Sequence, residues 1–212
     1  MRELGLLCNT QVVKNIMAGI QTQDRRPMKI QPDSRHCRLD FEEGVLKESS
    51  RLAGVWHVCR KFRPIYQVGD HLYLREKFKV SHRPHGEDGH YYMIYMADGY
   101  IEEIDYSEID MGRLKPGKTY PSIHMPKWAA RTWLEVIGVR AERVQNISEE
   151  DALSEGVSWD DACPEGVSNG YCPGAYDRPS ESFHHLWDSI YGTWDDNPWV
   201  WVYGFKLKNK KH

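Results

Sequence analysis

The sequence predicts an α+β fold, a small mixed β-barrel with flanking short helices and long loop insertions. Strand patterns outnumber helix patterns along the chain. One of them, at 132–144, is long enough to curl around a barrel, and its apolar face changes phase beside Gly138, which indicates a bulge. Because 212 residues can bury one core, we predict a single domain over 1–212 with insertions at 28–64 and 157–179.

The first half of the chain predicts one helix and three strands. Thr10 can cap a helix in which Val13, Ile16 and Met17 follow helical spacing, and Gly19 can end it. Alternating apolar residues then predict the strands. In order, we expect a helix at 10–19, a polar segment at 21–27, an irregular stretch at 28–64 with one helical turn near 41–46, a strand at 71–80, and a hairpin of 91–96 and 100–104 around Asp98-Gly99.

The second half predicts two helices between two strands. Ser148 and Asp151 form a capping-box pattern, and Gly156 can end the helix that they begin. A second, amphipathic helix should turn four apolar residues inward. These are Phe183, Leu186, Trp187 and Ile190. We therefore expect a long strand at 132–144, helices at 148–155 and 180–191, and a buried closing strand at 199–207 that is apolar on both faces where it begins.

Composition excludes several classes of protein. The net charge of −3 argues against a protein that coats nucleic acid by charge alone, although a local basic groove remains compatible with it. The five cysteines form no Cys-x-x-Cys pair, which favours a reduced, cytoplasmic location. The N-terminus lacks a signal-peptide pattern, and no apolar run approaches the roughly 18 residues of a membrane span, so we expect no membrane partner.

We predict no metal site and no cofactor. Cys163, Cys172, His184 and His185 could in principle surround zinc, but their spacing lacks a paired knuckle. The sequence also contains no glycine-rich phosphate loop, no serine nucleophile elbow and no dinucleotide fingerprint.

The most informative segment is 121–131, which is rich in Pro, His, Met and Trp and ends at Arg131. With several other blocks, it resembles the ASCH family of the PUA-like superfamily, and specifically its phage and prophage members. These blocks follow one another in family order from the first helix to the last strand. They are 18–27, Val68-Gly69-Asp70 with Leu74-Arg75-Glu76, 121–131, 147–156, and Leu186-Trp187 with Asn197-Pro198-Trp199-Val200.

The resemblance implies a PUA-like barrel, encoded by a phage or prophage and present in the bacterial cytoplasm, with a cleft for RNA or nucleotide ligands. Some ASCH proteins are amidohydrolases acting on N4-acylated cytidine, others are described as ribonucleases, and related domains bind modified bases. The Lys, Thr and Glu of the amidohydrolases fall on Gln21, Asp24 and Glu155. Only the glutamate is kept, since Gln21 cannot act as a general base and Asp24 is not a hydroxyl nucleophile.

Three carboxylates are candidate catalytic groups. Glu155 lies in the last turn of its helix, where it opposes the helix dipole; its pKa would rise, which suits a general base, whereas the alternative is a solvated helix end. Glu76 lies on an apolar strand face and needs a partner, for which Arg26 and Arg131 are candidates. The alternative for Glu76 is a structural ion pair. Asp24 is the third carboxylate.

Seven further residues are candidates for binding a nucleotide or nucleic acid. Arginine offers a fixed fork of donors to phosphate or base edges, although a surface pair making ordinary ion pairs is the alternative. A histidine in the 121–131 segment could stack on a base or only bond loop backbone, and most of the tryptophans are expected in the core. The candidates are Gln21, Arg25, Arg26, Arg75, His124, Lys127 and Arg131.

Three functions are compatible with these residues. The first is a module that binds a nucleotide, or an unpaired or modified base of RNA or DNA, in a barrel cleft. The second is a hydrolase that uses Glu155 on N4-acylated cytidine or RNA phosphodiesters, with Asp24 or Glu76 as its partner. The third is a phage accessory protein that binds a host protein through the insertions at 28–64 and 157–179.

Overall fold

The structure is a computed structural model, and it describes residues 1–33, 36–82, 91–104, 113–157 and 178–208. It has a mixed α+β fold that consists mostly of sheets with few short helices. This confirms the α+β class. Among the described residues no closed barrel is found, so the PUA-like barrel stays a prediction. No helix in the described part of the chain is long and apolar enough to cross a membrane.

The chain groups into two compact units. Unit 1 comprises Met1–Gly19, His71–Leu134 and Leu207–His212, and unit 2 comprises Ile20–Asp70 and Glu135–Lys206. The prediction of one domain with insertions is not tested by this grouping. The second predicted insertion, apart from residues 157, 178 and 179, lies outside the described residues.

Unit 1 begins with a strand, a helix and a parallel strand. β1 (Glu3–Leu7) pairs in parallel with β6 (His71–Arg75), and α1 (Thr10–Met17) follows β1. The side chain of Asn9, not Thr10, caps α1 by accepting a hydrogen bond from the Val12 amide at 2.8 Å. The helix itself was predicted and is confirmed.

An antiparallel sheet forms the rest of unit 1. Its strands are β7 (Phe78–His82), β8 (Tyr91–Tyr95), β9 (Ile101–Ile104) and β10 (Thr119–Tyr120), in the order β10-β7-β8-β9. The hairpin of β8 and β9 around Asp98-Gly99 confirms the prediction. A buried cluster packs on this sheet, and it contains Phe78, Val80, Met93, Tyr95, Ile104, Leu114, Met125 and Ala129.

Unit 2 combines strands with two helices. Its strands are β2 (Gln23–Pro27), β3 (Arg38–Glu42), β4 (Val45–Leu52), β5 (Val55–Phe62), β11 (Trp133–Arg143, from Glu135 on) and β12 (Trp199–Lys208, up to Lys206). β12 lies between β11 and β2 and is largely buried, as predicted. The helices are α2 (Glu149–Ser154) and α3 (Pro179–Tyr191). Their core contains Val144, Ile147, Ala152, Val157, Phe183, Trp187, Val200 and Val202.

The capping prediction for α2 is confirmed, because the Ser148 side chain accepts a hydrogen bond from the Asp151 amide at 3.1 Å. The inward face predicted for α3 is only half right. Phe183 and Trp187 are buried, but Leu186 and Ile190 are 40 % and 57 % exposed. The buried stripe of this helix is therefore narrower than its apolar pattern.

One prediction of secondary structure is wrong, and one strand was not predicted. The stretch 28–64 was expected to be irregular, with a helical turn near 41–46, but it contains the antiparallel meander β3-β4-β5. The polar segment 21–27, in which no strand was predicted, contains β2. Both regions lack the apolar alternation that identifies a half-buried strand.

The prediction for 71–80 is correct only in part. The strand expected at 71–80 is two strands, β6 and β7, which separate at Glu76 and Lys77. At this break the Glu76 amide donates to the sulfur of Met125 at 3.1 Å instead of to a neighbouring strand. The bulge expected beside Gly138 in β11 stays a prediction.

Candidate functional sites

β2 sets the geometry of the first site because its side chains alternate between two faces. Gln23 and Arg25 are buried, whereas Asp24 and Arg26 are partly exposed on the opposite face. β12 pairs with β2 so that Val202 lies opposite Arg25. The polar sequence of β2 therefore places one arginine inside unit 2 and the next one near its surface.

Arg25 is the centre of a buried ion cluster, and its side chain is 0 % exposed. One terminal nitrogen donates to Glu155 at 2.7 Å, and the other donates to Glu142 at 2.6 Å and to Asp151 at 2.9 Å. Arg140 completes the cluster through Glu142 and Asp151. The two guanidinium groups face three carboxylates, so the cluster carries one excess negative charge when all three are ionised.

Glu155 is the most buried carboxylate of this cluster. It follows α2 as its C-cap residue, and its Oε2 also accepts a hydrogen bond from the Arg25 amide at 3.1 Å. Burial raises the pKa of Glu155 to about 7, although the hydrogen bonds from Arg25 act in the opposite direction. The sequence analysis expected a raised pKa from the helix dipole, whereas burial is the larger cause.

The same cluster orders two glutamines. Gln21 donates to the Gln23 carbonyl at 3.0 Å, and the amide of Gln23 lies 3.2 Å from Asp151 and 3.4 Å from Glu155. Within the described part of the chain, Oε1 of Gln21 is buried and has no hydrogen-bond partner. A buried amide oxygen of this kind can accept a hydrogen bond from a ligand or a water.

Asp24 and Arg26 form an ion pair on the more exposed face of β2. The Arg26 Nε donates to Asp24 at 2.6 Å, and the two side chains are 29 % and 23 % exposed. Burial lowers the pKa of Arg26, but the charge of Asp24 outweighs it and raises that pKa overall. Tyr191 lies within electrostatic range of both residues, and burial raises the pKa of its hydroxyl.

A second ion cluster lies in unit 1. Arg131 donates to both oxygens of Glu76 at 2.9 Å and to Asp98 at 2.8 Å. Its guanidinium carbon lies 4.3 Å from the centroid of the Tyr95 ring, close enough for a cation–π contact. Of the two partners that the sequence allowed for Glu76, the structure therefore selects Arg131.

An open groove of about 390 Å³ lies beside the 121–131 segment in unit 1. Arg75 holds one wall in place, because its guanidinium donates to the Met125 carbonyl at 3.1 Å and to the Ile123 carbonyl. His124 and Trp128 are exposed. The lining residues are Arg75, Arg113, Leu114, Ile123, His124, Met125, Pro126 and Trp128.

All of the predicted site residues except Lys127 fall into four groups. Gln21, Arg25 and Glu155 share the buried cluster of unit 2, and Asp24 pairs with Arg26. In unit 1, Glu76 pairs with Arg131, while Arg75 and His124 line the groove. Lys127 is not among the groove residues and pairs with Glu3 instead.

The sequence analysis missed several residues of these groups. They are Gln23, Asp98, Arg113, Arg140, Glu142 and Asp151. Asp151 had been noted only as part of the capping box of α2. The one signal for the others was their polarity within predicted strands or turns, which identifies no partner.

Comparisons of the chain with protein-family models, with curated proteins and with solved structures give no match. The resemblance to the ASCH family stays a prediction. Among the described residues, no group of three or more His, Cys, Asp or Glu side chains could hold a metal ion.

The buried Glu155 predicts a distinctive pH dependence of stability. Its pKa is about 7 in the folded chain and near the ordinary 4.5 when unfolded, so between these values only the folded state holds the proton. The free energy of unfolding should therefore fall as pH rises through this window, by at most about 1.4 kcal/mol per pH unit, and then level off. Urea unfolding of wild type and Glu155→Gln at several pH values measures this, and the variant should lack that part of the slope.

Glu150→Gln is the matched control, because Glu150 is an exposed glutamate of the same helix. This control should keep the wild-type slope. Equal slopes for wild type and Glu155→Gln would show that Glu155 does not take up a proton near neutral pH.

The Glu76–Arg131 pair predicts a large loss of stability when one partner is removed. Glu76 is 1 % exposed in its side chain, and Arg131→Met would leave its carboxylate buried without its main partner. We expect a loss of about 3–5 kcal/mol in the free energy of unfolding, measured with urea. Glu42→Gln, which breaks the exposed pair with Lys47, should cost less than about 1 kcal/mol. Similar costs for the two variants would rule out a structural role for the buried pair.

Proposed function

We propose that the chain is an ASCH-type module with a PUA-like barrel that binds a nucleotide, or an unpaired or modified base of RNA or DNA. The observation that supports this most is the groove of unit 1, in which two arginines, an imidazole and an indole meet. Its volume of about 390 Å³ suits a small ligand, since such sites measure roughly 300–1,000 Å³.

The chemistry of the groove fits a nucleoside phosphate. Arg75 and Arg113 can bind phosphate oxygens, which a guanidinium recognises with two parallel donors. Trp128 is 37 % exposed and can stack on a base, and His124 can hydrogen-bond to the sugar or base. The two backbone carbonyls that hold Arg75 fix its side chain before binding, so that less conformational entropy is lost.

Unit 2 offers hydrogen-bonding groups of its own in β2 and just before it. The unpartnered oxygen of Gln21 can accept a hydrogen bond from an exocyclic amine, and Asp24 and Arg26 offer an acceptor and a donor at the surface. Hydrogen-bonding groups of this kind suit readout of a base edge better than covalent chemistry.

Calorimetric titration tests the proposal with nucleosides and nucleoside monophosphates, including N4-acetylcytidine. A monophosphate should bind roughly tenfold or more tightly than its nucleoside, because only the former engages an arginine with a charged group. Trp128→Ala should weaken binding by about fivefold or more through loss of stacking. Phe41→Ala, which removes an aromatic side chain of unit 2 that is 37 % exposed, should leave it unchanged. No heat with any of these ligands would contradict the proposal.

A second candidate function is hydrolysis with Glu155 as a general base. The observation in its favour is the pKa of about 7, which suits proton transfer at neutral pH. Both oxygens of Glu155 already accept hydrogen bonds from Arg25, so a substrate would have to displace one of them.

Turnover of N4-acetylcytidine and of RNA tests the hydrolase directly. If Glu155 is the base, release of cytidine or of RNA fragments should be abolished in Glu155→Gln and kept in Glu150→Gln. Turnover that survives Glu155→Gln would exclude this role.

A further inference from the structure

The strongest feature outside these sites is a basic segment at 51–63, which includes β5 and the turn before it. It contains three Arg, one Lys and one His but no Asp or Glu, in a chain whose net charge is −3. β5 is the edge strand of the sheet β3-β4-β5, and seven of its eight residues are exposed. A strand exposed on both faces gains little from packing, so its composition calls for another explanation.

The register of this sheet brings the charges to one face. Lys47 lies directly opposite Lys61, and Arg51 lies directly opposite Trp56. Alternation along β4 puts residues 47 and 51 on the same side, together with their partners on β5. Lys61 and Trp56 lie about 13 Å apart along the sheet, because their partners on β4, Lys47 and Arg51, are four residues apart at about 3.3 Å per residue.

Like charges directly opposite one another destabilise a sheet, but at Lys47 this is offset by Glu42 and, more weakly, by Glu43 and Asp40, which raise the pKa of Lys47. Glu42 offsets Lys47 at 2.6 Å, but Lys61 has no ion-pair partner among the described residues. In the same described part of the chain, Arg51 donates a hydrogen bond only to the Gly54 carbonyl. Arg60, by contrast, is held by Glu48 at 2.9 Å and serves the sheet itself.

A groove next to β5 continues the positive charge. It measures about 300 Å³, and its charged lining residues are all cations: Lys29, Lys61 and Arg63. Lys61 therefore belongs both to the groove and to the face that carries Trp56. We call these residues, Lys29, Arg51, Trp56, Lys61 and Arg63, the basic strand surface.

We propose that the basic strand surface binds single-stranded nucleic acid, with phosphates on its cations and one base stacked on Trp56. Such sites combine a positively charged track with aromatic side chains that accept any base. An exposed indole favours a single strand over a duplex, whose bases have no free face. Cations spread along an extended strand also differ from the amphipathic helix, with its wide apolar face, that attaches proteins to membranes. This surface shares no residue with the groove at Trp128, and the proposal does not depend on that groove.

Fluorescence anisotropy of labelled oligonucleotides of about 12 nucleotides tests the proposal, because such lengths cover the site of one binding domain. The wild type should bind oligo-dT and oligo-U more tightly than a duplex of equal length. Trp56→Ala should weaken binding about tenfold, and Trp56→Phe should restore most of it. Lys61→Ala should reduce the slope of log K against log salt by about 0.7 between about 50 and 200 mM, as one phosphate contact is lost.

Lys14→Ala is the matched control, since Lys14 is an exposed lysine on α1 and should have no effect. Thermal unfolding of every variant establishes that each is folded. The proposal is overturned if Trp56→Ala and Lys61→Ala bind like wild type, or if phosphatidylserine vesicles or an acidic polypeptide bind this surface as well as the oligonucleotide. If mononucleotides give no heat of binding in the titration, the proposed function alone is overturned. If Trp56→Ala does not weaken oligonucleotide binding, this inference alone is overturned.

Discussion

The buried guanidinium of Arg25 is the interaction on which unit 2 depends. An unpaired cation in a protein interior is very unfavourable, so a fully buried arginine requires carboxylate partners. Both terminal nitrogens of Arg25 have them, whereas its Nε has no hydrogen-bond partner among the described residues. Here the acceptors come from two elements, with Glu142 on β11 and Asp151 and Glu155 at α2, and the ring of Phe183 on α3 lies 5.8 Å from the guanidinium carbon. One side chain of β2 thereby ties together a strand and two helices. The position of α2 relative to β2 is set by charge as much as by apolar packing.

The contacts of β2 also explain why this edge strand is protected from pairing with another strand, whereas the edge strand β5 is not. Hydrogen bonds of the Met28 amide to Trp199 and of the Phe205 amide to Thr22 show that even-numbered positions of β2 pair with β12. The Arg25 amide therefore points away from β12, and Glu155 accepts its hydrogen bond there. Pro27, which faces the same way, has no amide hydrogen to expose. β5 has no such protection among the described residues, and it carries cations instead, which discourage pairing with another strand.

These contrasts show which features a sequence can predict. The helix that begins at Ser148 and the hairpin around Asp98 depend on neighbours in sequence, and both were predicted. β2 could not be, because the groups that stabilise it lie more than 100 residues away: Arg25 and Glu155 are 130 positions apart. The meander at 38–62 was missed for a different reason. β5 is exposed along most of its length and β4 buries the polar residues Glu48 and Ser49, so neither strand shows apolar alternation. Glu76 stands between these cases, because its burial was predictable from its strand face but the choice of Arg131 over Arg26 required the fold.

The arginines differ in whether their terminal nitrogens already donate to carboxylates. This difference separates those that stabilise the fold from those that remain able to bind a ligand. Both terminal nitrogens of Arg25 and of Arg131 already donate to carboxylates, so an incoming phosphate would have to compete with short charged hydrogen bonds in a poorly solvated place. Within the described ranges, Arg75 bonds to two neutral carbonyls and Arg51 to one, and neither has a carboxylate partner there. A polyanion gains most where a cation has no carboxylate to lose. Ligand binding is therefore expected not at the most buried arginines of the sequence motifs but at cations that have no carboxylate partner among the described residues.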